Sequence, residues 1–311
     1  MTLRVLDPGL ATFLVDFGRP GSRSLGVPLG GAADRFSLAI GNALVGNPPD
    51  AAALEISLAG PTLQAEVSLA CVLFGAPFDL LGNNQRLAMG KTFTLHPGEE
   101  VHIGGARAGV RAYLCVRGGL QAPVILGSRS ALEPLHAGAE LACLPGSMHA
   151  RWVRLPWSGG AELRPGDDLP AAPGPVQTLS VLDGPQADWF EPEEWFAQSY
   201  QVTPAADRMG LRLAGRPLRL PSRELVSEPV CPGSVQVAND GQCMILGVDG
   251  QTIGGYPKIA QVISADLDRL GQLRPGDRVA FSRVSLAEAE ALYRRQQAHL
   301  REWVLRLQCT V

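Results

Sequence analysis

The sequence predicts a mainly β chain made of two similar barrels or sandwiches, with a few short helices and one amphipathic helix at the C-terminus. Three observations predict it. Glycine (36) and proline (25) together supply about a fifth of the 311 residues, so turns are dense and long helices few. A Pro-Gly turn leading into an alternating run occurs twice, as Leu95-His96-Pro97-Gly98-Glu99-Glu100-Val101-His102-Ile103 and Leu273-Arg274-Pro275-Gly276-Asp277-Arg278-Val279-Ala280-Phe281. Shorter echoes stand at Arg164-Pro165-Gly166-Asp167 and Cys231-Pro232-Gly233-Ser234. Finally, at roughly 100 to 200 residues per domain the length gives two domains.

The stretch from Leu155 to Gln177 is dense in proline and glycine with little periodicity, which puts a boundary near residue 170. This divides the chain into 1–170, 171–284 and a C-terminal helix, 285–311. Helical signals precede it at Asp34 to Val45, after a glycine-rich turn, and follow it at Asp188 to Phe196 and Ser264 to Leu270. In the last helix Ser285 and Glu288 form a capping box, and Leu286, Ala289, Tyr293, Leu300, Trp303 and Leu307 recur at three- to four-residue steps. That apolar stripe suits packing on its own barrel or docking to a partner chain; the pattern leaves both open.

Composition narrows the function classes. Hydrophobic residues at 46% and charged residues at 18% exclude disordered, collagen-like and coiled-coil chains. A net charge of −3 lacks the basic footprint of phosphate-backbone binding, so nucleic acid is not an expected partner. No run reaches the roughly 18 to 20 apolar residues of a membrane span, and Ala70 to Ala76 has the length of a buried strand. The N-terminus has no apolar signal-peptide core, so the expected location is cytoplasmic. The six cysteines, none in C-x-x-C, read as reduced and mostly buried thiols.

Familiar catalytic motifs fail one by one. Gly90-Lys91-Thr92 resembles the end of a P-loop, but the required earlier glycine is Gln85. Neither a G-x-S-x-G elbow nor a strand-borne G-x-G-x-x-G occurs. His96 and His102 stand at even spacing, which puts them on one strand face, with nothing to complete a metal set, and no metal is expected. The only lysines are Lys91 and Lys258, and neither is flanked by methionines as covalent biotin attachment requires.

The block Asp249-Gly250-Gln251-Thr252-Ile253-Gly254-Gly255-Tyr256-Pro257-Lys258 stands out, a polar glycine-rich loop between two apolar runs. Gly254 and Gly255 allow backbone to approach a ligand, while Gln251, Thr252, Tyr256 and Lys258 suit the surround of an anion. The alternative is a glycine-rich turn with a snorkelling lysine. A second candidate is Asp207-Arg208-Met209-Gly210, with Glu228 and Gln236 further on, where Arg208 either clamps an anion or pairs with Asp207. In the first half, Asp16-Phe17-Gly18-Arg19 and Gly30-Gly31-Ala32-Ala33-Asp34 are polar turns, and Glu55 lies within a strand, where a buried carboxylate needs a partner.

These blocks, in this order, resemble the family of the 5-oxoprolinase C-type subunits, the sporulation-kinase-inhibitor antagonist KipA and the biotin-dependent carboxyltransferase, or allophanate hydrolase subunit 2, domain. The resemblance spans nearly the whole chain through Asp16-Phe17-Gly18-Arg19, Gly26-Val27-Pro28, Leu54-Glu55, Gly60-Pro61, Tyr113, Gly118-Gly119, Gly127-Ser128-Arg129-Ser130, Asp207-Arg208-Met209-Gly210, Pro232 to Val237 and Gln251 to Pro257. It departs after Ser130, where a Gly-Gly-x-Gly-Arg run is replaced by His136 to Ser147, and at Val15 and Cys243.

The resemblance implies two cyclophilin-like β-barrel subdomains and a companion of the B type, similar to KipI, with an A-type protein completing the assembly. It implies ATP-dependent opening of 5-oxoproline to L-glutamate, with ATP held here or on a partner and no covalent biotin on this chain. On this reading Lys258, Tyr256, Gln251 and Thr252 are catalytic, and Arg208, Gly254, Gly255, Gln236, Glu55 and Asp34 bind the small-molecule substrate. Two other activities stay open: biotin-dependent carboxyl transfer to urea or a related amide, and regulatory binding that antagonises a kinase inhibitor.

Overall fold

The computed structural model describes residues 2–153 and 176–309. The chain divides into two units, one from Met1–Arg19, Gly30–Leu169 and Ala298–Val311, the other from Pro20–Leu29 and Pro170–Gln297. The expected boundary near residue 170, all but the end of the Leu155–Gln177 stretch, and the turn at Arg164 to Asp167 lie outside the described residues.

The first unit carries β1 (Thr2–Asp7), β2 (Ala11–Val15), α1 (Arg35–Leu44), β3 (Ala53–Ser57), β4 (Thr62–Ala65), β5 (Leu69–Gly75), β6 (Phe78–Gly82), β7 (Gln85–Arg86), β8 (Phe93–Leu95), β9 (Glu100–Ala106), β10 (Arg111–Val116) and β11 (Glu140–Ala142). They form a six-stranded sheet, β11-β1-β4-β9-β6-β7, and a five-stranded sheet, β2-β3-β10-β5-β8. The two sheets share one core, to which alternate residues such as Leu54, Ile56, Leu73 and Leu114 contribute. Their neighbours Val72, Phe74, Tyr113 and Cys115 face the other way, into a second core with Leu38, Ile40 and Leu44 of α1. β3, β5 and β10 are therefore covered on both faces, and their apolar runs are continuous instead of alternating. Each fully buried leucine or isoleucine of α1 contributes about 1.5–3 kcal/mol.

Local chemistry sets the ends of these elements. Asp34 caps α1 by accepting from Ser37 N (2.9 Å) and Ser37 Oγ (2.7 Å). In the Pro-Gly turns, Gly98 (φ +85°) and Gly276 (φ +97°) occupy the left-handed region that the following strands require. His96 precedes the first of these turns, outside β9, while His102 lies within β9 and meets Thr62 Oγ1 at 2.9 Å. The expected shared strand face for the two histidines is thus corrected: the turn separates them.

The motif at Asp16 shows how one carboxylate organises a loop. It accepts from Gly18 N (2.8 Å), Ser128 Oγ (2.6 Å), Ser130 Oγ (2.6 Å) and Arg129 N (2.6 Å). Burial pushes its pKa up, but the donors, Ser128 first, outweigh burial and hold it below the ordinary value. A depressed carboxyl contributes stability that is present above its unfolded pKa, about 3.9, and lost as pH falls through the folded one. Asp16→Asn is therefore expected to flatten the acid limb: a pH series of urea unfolding should show wild type losing stability below about pH 4 more steeply than the variant.

The second unit carries β12 (Gln177–Asp183), α2 (Pro192–Phe196), β13 (Tyr200–Val202), β14 (Gly210–Ala214), β15 (Glu228–Pro229), β16 (Ser234–Val237), β17 (Cys243–Leu246), β18 (Ile253–Gly254), β19 (Lys258–Val262), α3 (Leu267–Leu270), β20 (Arg278–Arg283) and the start of α4 (Leu286–Gln308). A closed barrel runs β12-β19-β16-β17-β14-β13-β20, and β15 with β18 forms a two-stranded ribbon. The barrel is filled by residues such as Val181, Val235, Ile245 and Phe281, with Trp195 of α2 stacked on Phe281 at 4.2 Å between ring centroids. The mainly β fold with short helices and a C-terminal helix is thus the one expected.

In α4 the capping box forms as read, Ser285 N and Oγ both donating to Glu288 Oε2 at 2.7 Å. Within the first unit, Val304 and Leu307 are buried in the core under α1, and Arg151 donates to the terminal carbonyls of Leu44 (2.6 Å) and Leu307. That end of the stripe packs on its own unit, while Leu286 and Tyr293 stay exposed. None of the six cysteines is in a disulfide, and four of them are buried. Among the described residues, no helix is long and apolar enough to cross a membrane.

Candidate functional site

In the second unit, the pairing of β16 with β19 runs Ser234 to Gln261 and Val235 to Ala260, then shifts so that Gln236 faces Lys258. The extra residue, Ile259, is a β-bulge, a device that re-aims side chains and often borders sites. It sets Gln236 (0% exposed) and Lys258 (5% exposed) on directly paired positions of neighbouring strands.

Lys258 is held from both sides. Its backbone N donates to Gln186 Oε1 (3.0 Å), and its carbonyl accepts from Gln186 N (3.1 Å). Its ammonium forms an ion pair with Glu228 Oε2, which also accepts from Gln186 Nε2 (3.3 Å). The pairing is close but not well directed as a hydrogen bond, so the buried Nζ keeps donor capacity. The Lys258 ammonium first, and then the Gln186 amide, hold the Glu228 carboxyl below its ordinary pKa. The Glu228 side chain is 40% exposed and covers the lysine from the β15–β18 ribbon, where Glu228 pairs with Gly254.

Gln236 completes the group. Its Nε2 donates weakly to the Tyr256 carbonyl at 3.4 Å, and its buried Oε1 has no hydrogen-bond partner. Reversing the amide would set Oε1 against that carbonyl, so the orientation is fixed by chemistry. A buried acceptor left alone costs about 1–3 kcal/mol, which a structural residue has no reason to carry. Gly254 makes room for it: a Cβ there would lie 2.6 Å from Gln236 Nε2.

The rest of the predicted loop frames this pair. Gln251 is exposed and Thr252 half-buried; their carbonyls accept from Arg23 Nη2 (2.9 Å) and Val230 N (3.0 Å). Arg23 also donates to the Val230 carbonyl, tying the loop to the ribbon. Gly255 is exposed and Tyr256 half-buried. Sequence reasoning did not single out Gln186, Glu228 or Arg23 for the site. Glu228 stood in the sequence near Gln236 as a hint, whereas Gln186 and Arg23 carried no local signal.

The remaining candidates have other employment. Arg208 makes a two-point ion pair with Asp249, at 2.6 and 3.0 Å, while Asp207 Oδ1 accepts from Met209 N (2.8 Å) and Gly210 N (3.1 Å). The expected pairing with Asp207 is corrected, because that carboxylate is consumed by its own turn. In the first unit Glu55 and Asp34 are fully buried. Glu55 accepts from Ala33 N (2.8 Å), Tyr113 Oη (2.7 Å) and Arg111 Nε (3.2 Å), and Tyr113 Oη accepts from Asp34 N (2.8 Å). Burial first, and then the nearby Glu55 charge, push the Tyr113 phenol far up, so it stays a neutral bridge. The Glu55 carboxylate and the Asp34 backbone N, joined through Tyr113, tie strand β3 to the start of α1, while the Asp34 carboxylate caps that helix. Among the described residues, no three His, Cys, Asp or Glu side chains gather as metal ligands.

A family model for the carboxyltransferase domain, subdomain A and B, matches residues 25–283. The C-type subunit of 5-oxoprolinase from Haemophilus influenzae is 33% identical over 302 residues, which cover 95% of this chain and 96% of that one. Its Escherichia coli K12 counterpart is 33% identical over 316 residues, covering 98% of both. Among solved structures, the Kluyveromyces lactis urea carboxylase superposes with a TM-score of 0.83 at 26% identity, over 97% of this chain but 29% of that one. This chain belongs to the carboxyltransferase-domain family, subdomain A and B, that includes the C-type subunits of 5-oxoprolinase.

Proposed function

We propose that this chain is the C-type subunit of an ATP-dependent 5-oxoprolinase, opening 5-oxoproline to L-glutamate together with companion subunits of the A and B types. One observation carries the reading: a buried ammonium, Lys258, held by a half-exposed carboxylate beside the buried, unpartnered Gln236 carbonyl. A lactam is a poor electrophile, and its opening builds negative charge on the carbonyl oxygen. A desolvated cation aimed there supplies the stabilisation that counts most in such steps. The choice of 5-oxoproline among amides is supported by end-to-end likeness to the C-type subunits of two bacteria.

In this reading Lys258 meets the developing oxyanion, Gln186 positions the lysine, Glu228 covers it before substrate enters, and Tyr256, Gln251 and Thr252 shape the loop around the substrate. ATP supplies the driving force when bound, and this chain does not fit it at its one P-loop-like segment. There Thr92 N donates to the Arg151 carbonyl (2.8 Å), Lys91 bridges Trp152, and a strand follows where a phosphate cradle needs a helix. In this reading ATP is held by a companion subunit. Covalent biotin does not fit either, since Lys258 is buried and neither lysine has flanking methionines.

The test is co-purification with the companion subunits, followed by assay of ADP and glutamate release with 5-oxoproline. Turnover is expected only with the full set. Likeness to urea carboxylase favours a second reading, carboxyl transfer to urea or a related amide. Avidin-sensitive turnover with urea and none with 5-oxoproline would select it, and tight partner binding with no turnover would leave a regulatory role.

Gly254→Ala probes the site without touching a charge. The added methyl must push the Gln236 amide aside, so kcat is expected to fall roughly 10- to 100-fold. Thermal unfolding should move little, because Gly254 lies in a two-residue ribbon outside the barrel.

A further inference from the structure

Two polar atoms of opposite hydrogen-bonding sense lie buried at paired positions of β16 and β19. Gln236 Oε1 is an acceptor with no hydrogen-bond partner, and Lys258 Nζ is a donor that is ion-paired to Glu228 without a well-formed hydrogen bond. Whatever satisfies the first must bring an N–H or O–H; whatever satisfies the second must bring a lone pair. A ring amide presents both on one edge, because its N–H and C=O are held cis. An ester ring presents only the C=O.

We propose that Gln236 and Lys258 together read the N–H and C=O of a cis-amide, so that the site selects lactams and cyclic ureas against the corresponding lactones and carbonates. Glu228 stands in for the substrate carbonyl, its oxygen resting on the lysine until substrate displaces it. Its 40% exposure and its place on a two-residue ribbon leave it free to swing outward. Gln186 then keeps Lys258 in place through two backbone hydrogen bonds that do not depend on Glu228. This inference deepens the amide-opening reading above and rests on it for the location of the substrate.

The experiment measures dissociation constants on the assembled complex for 5-oxoproline and for 5-oxotetrahydrofuran-2-carboxylate, in which the ring N–H is replaced by oxygen. A site that hydrogen-bonds an N–H rejects the analogue strongly, since its buried acceptor is then left alone. Wild type is expected to favour the lactam at least about 100-fold, and Gln236→Met to shrink that ratio below about tenfold. A merely structural loss would weaken both ligands together and leave the ratio intact, which overturns the proposal. A wild-type ratio near one overturns it too, even if the Gln236 variant fails to fold. Should the complex show no turnover of 5-oxoproline, 2-imidazolidinone against ethylene carbonate replaces the pair. A retained preference for the N–H compound then sinks the 5-oxoproline reading alone, and its absence sinks this inference as well.

Discussion

Replacing Lys258 by alanine is expected to lower kcat of the assembled complex by about 10²–10³-fold, the usual effect of removing one preorganised donor to an oxyanion. KM should change much less, because the interaction is strongest with charge that develops in the transition state. The fold should survive. Glu228, the partner left behind, is 40% exposed and regains water, and Gln186 binds the backbone of residue 258 whatever side chain it carries. Lys258→Arg is expected to rescue little, since a five-donor fork must be satisfied where one ammonium was buried. Steady-state kinetics with a thermal melt of each variant decides the matter. Full turnover by the alanine variant would remove the lysine from the mechanism, and a collapsed melt would show that it holds the barrel together.

What was legible beforehand follows the range of the physics involved. The Ser285–Glu288 box and the Pro-Gly turns depend on residues three or four apart, and each forms as read. The loop from Asp249 to Lys258 was visible because polar, glycine-rich sequence between apolar runs has few structural uses. The chemistry beneath it was not visible. Gln186 reaches Lys258 across 72 positions, Arg208 finds Asp249 across 41, and both contacts exist only once the barrel closes. The bulge at Ile259 carries no composition of its own, yet it decides that Gln236 and Lys258 stand opposite each other. The partners of Glu55 were out of sight for a related reason. A carboxylate in a strand asks for a partner, but only the fold tells whether that partner is a ligand or, as here, Tyr113 and Arg111.

That network sets the second large expectation. Glu55 is wholly buried between the strands and α1, and it receives a guanidinium, a phenol and a backbone N–H. Removing one member of a buried ion pair typically costs about 3–5 kcal/mol, because the other charge loses its compensation in a medium that solvates it poorly. Glu55→Ala should therefore lower the melting transition of the first unit by roughly 6–20 °C, at about 2–4 °C per kcal/mol for a unit of this size. Tyr113→Phe removes one hydroxyl between Asp34 N and Glu55, and is expected to cost about 1–3 kcal/mol. If the network is a single cooperative unit, the double variant Glu55→Leu with Arg111→Met should be more stable than Glu55→Ala alone. Replacing both charges with apolar groups leaves no charge of the pair uncompensated, whereas deleting one strands its partner. Scanning calorimetry of wild type and each variant checks the shift. An unchanged melt for Glu55→Ala would mean that Arg111 finds its compensation elsewhere and that the network does not hold the unit together.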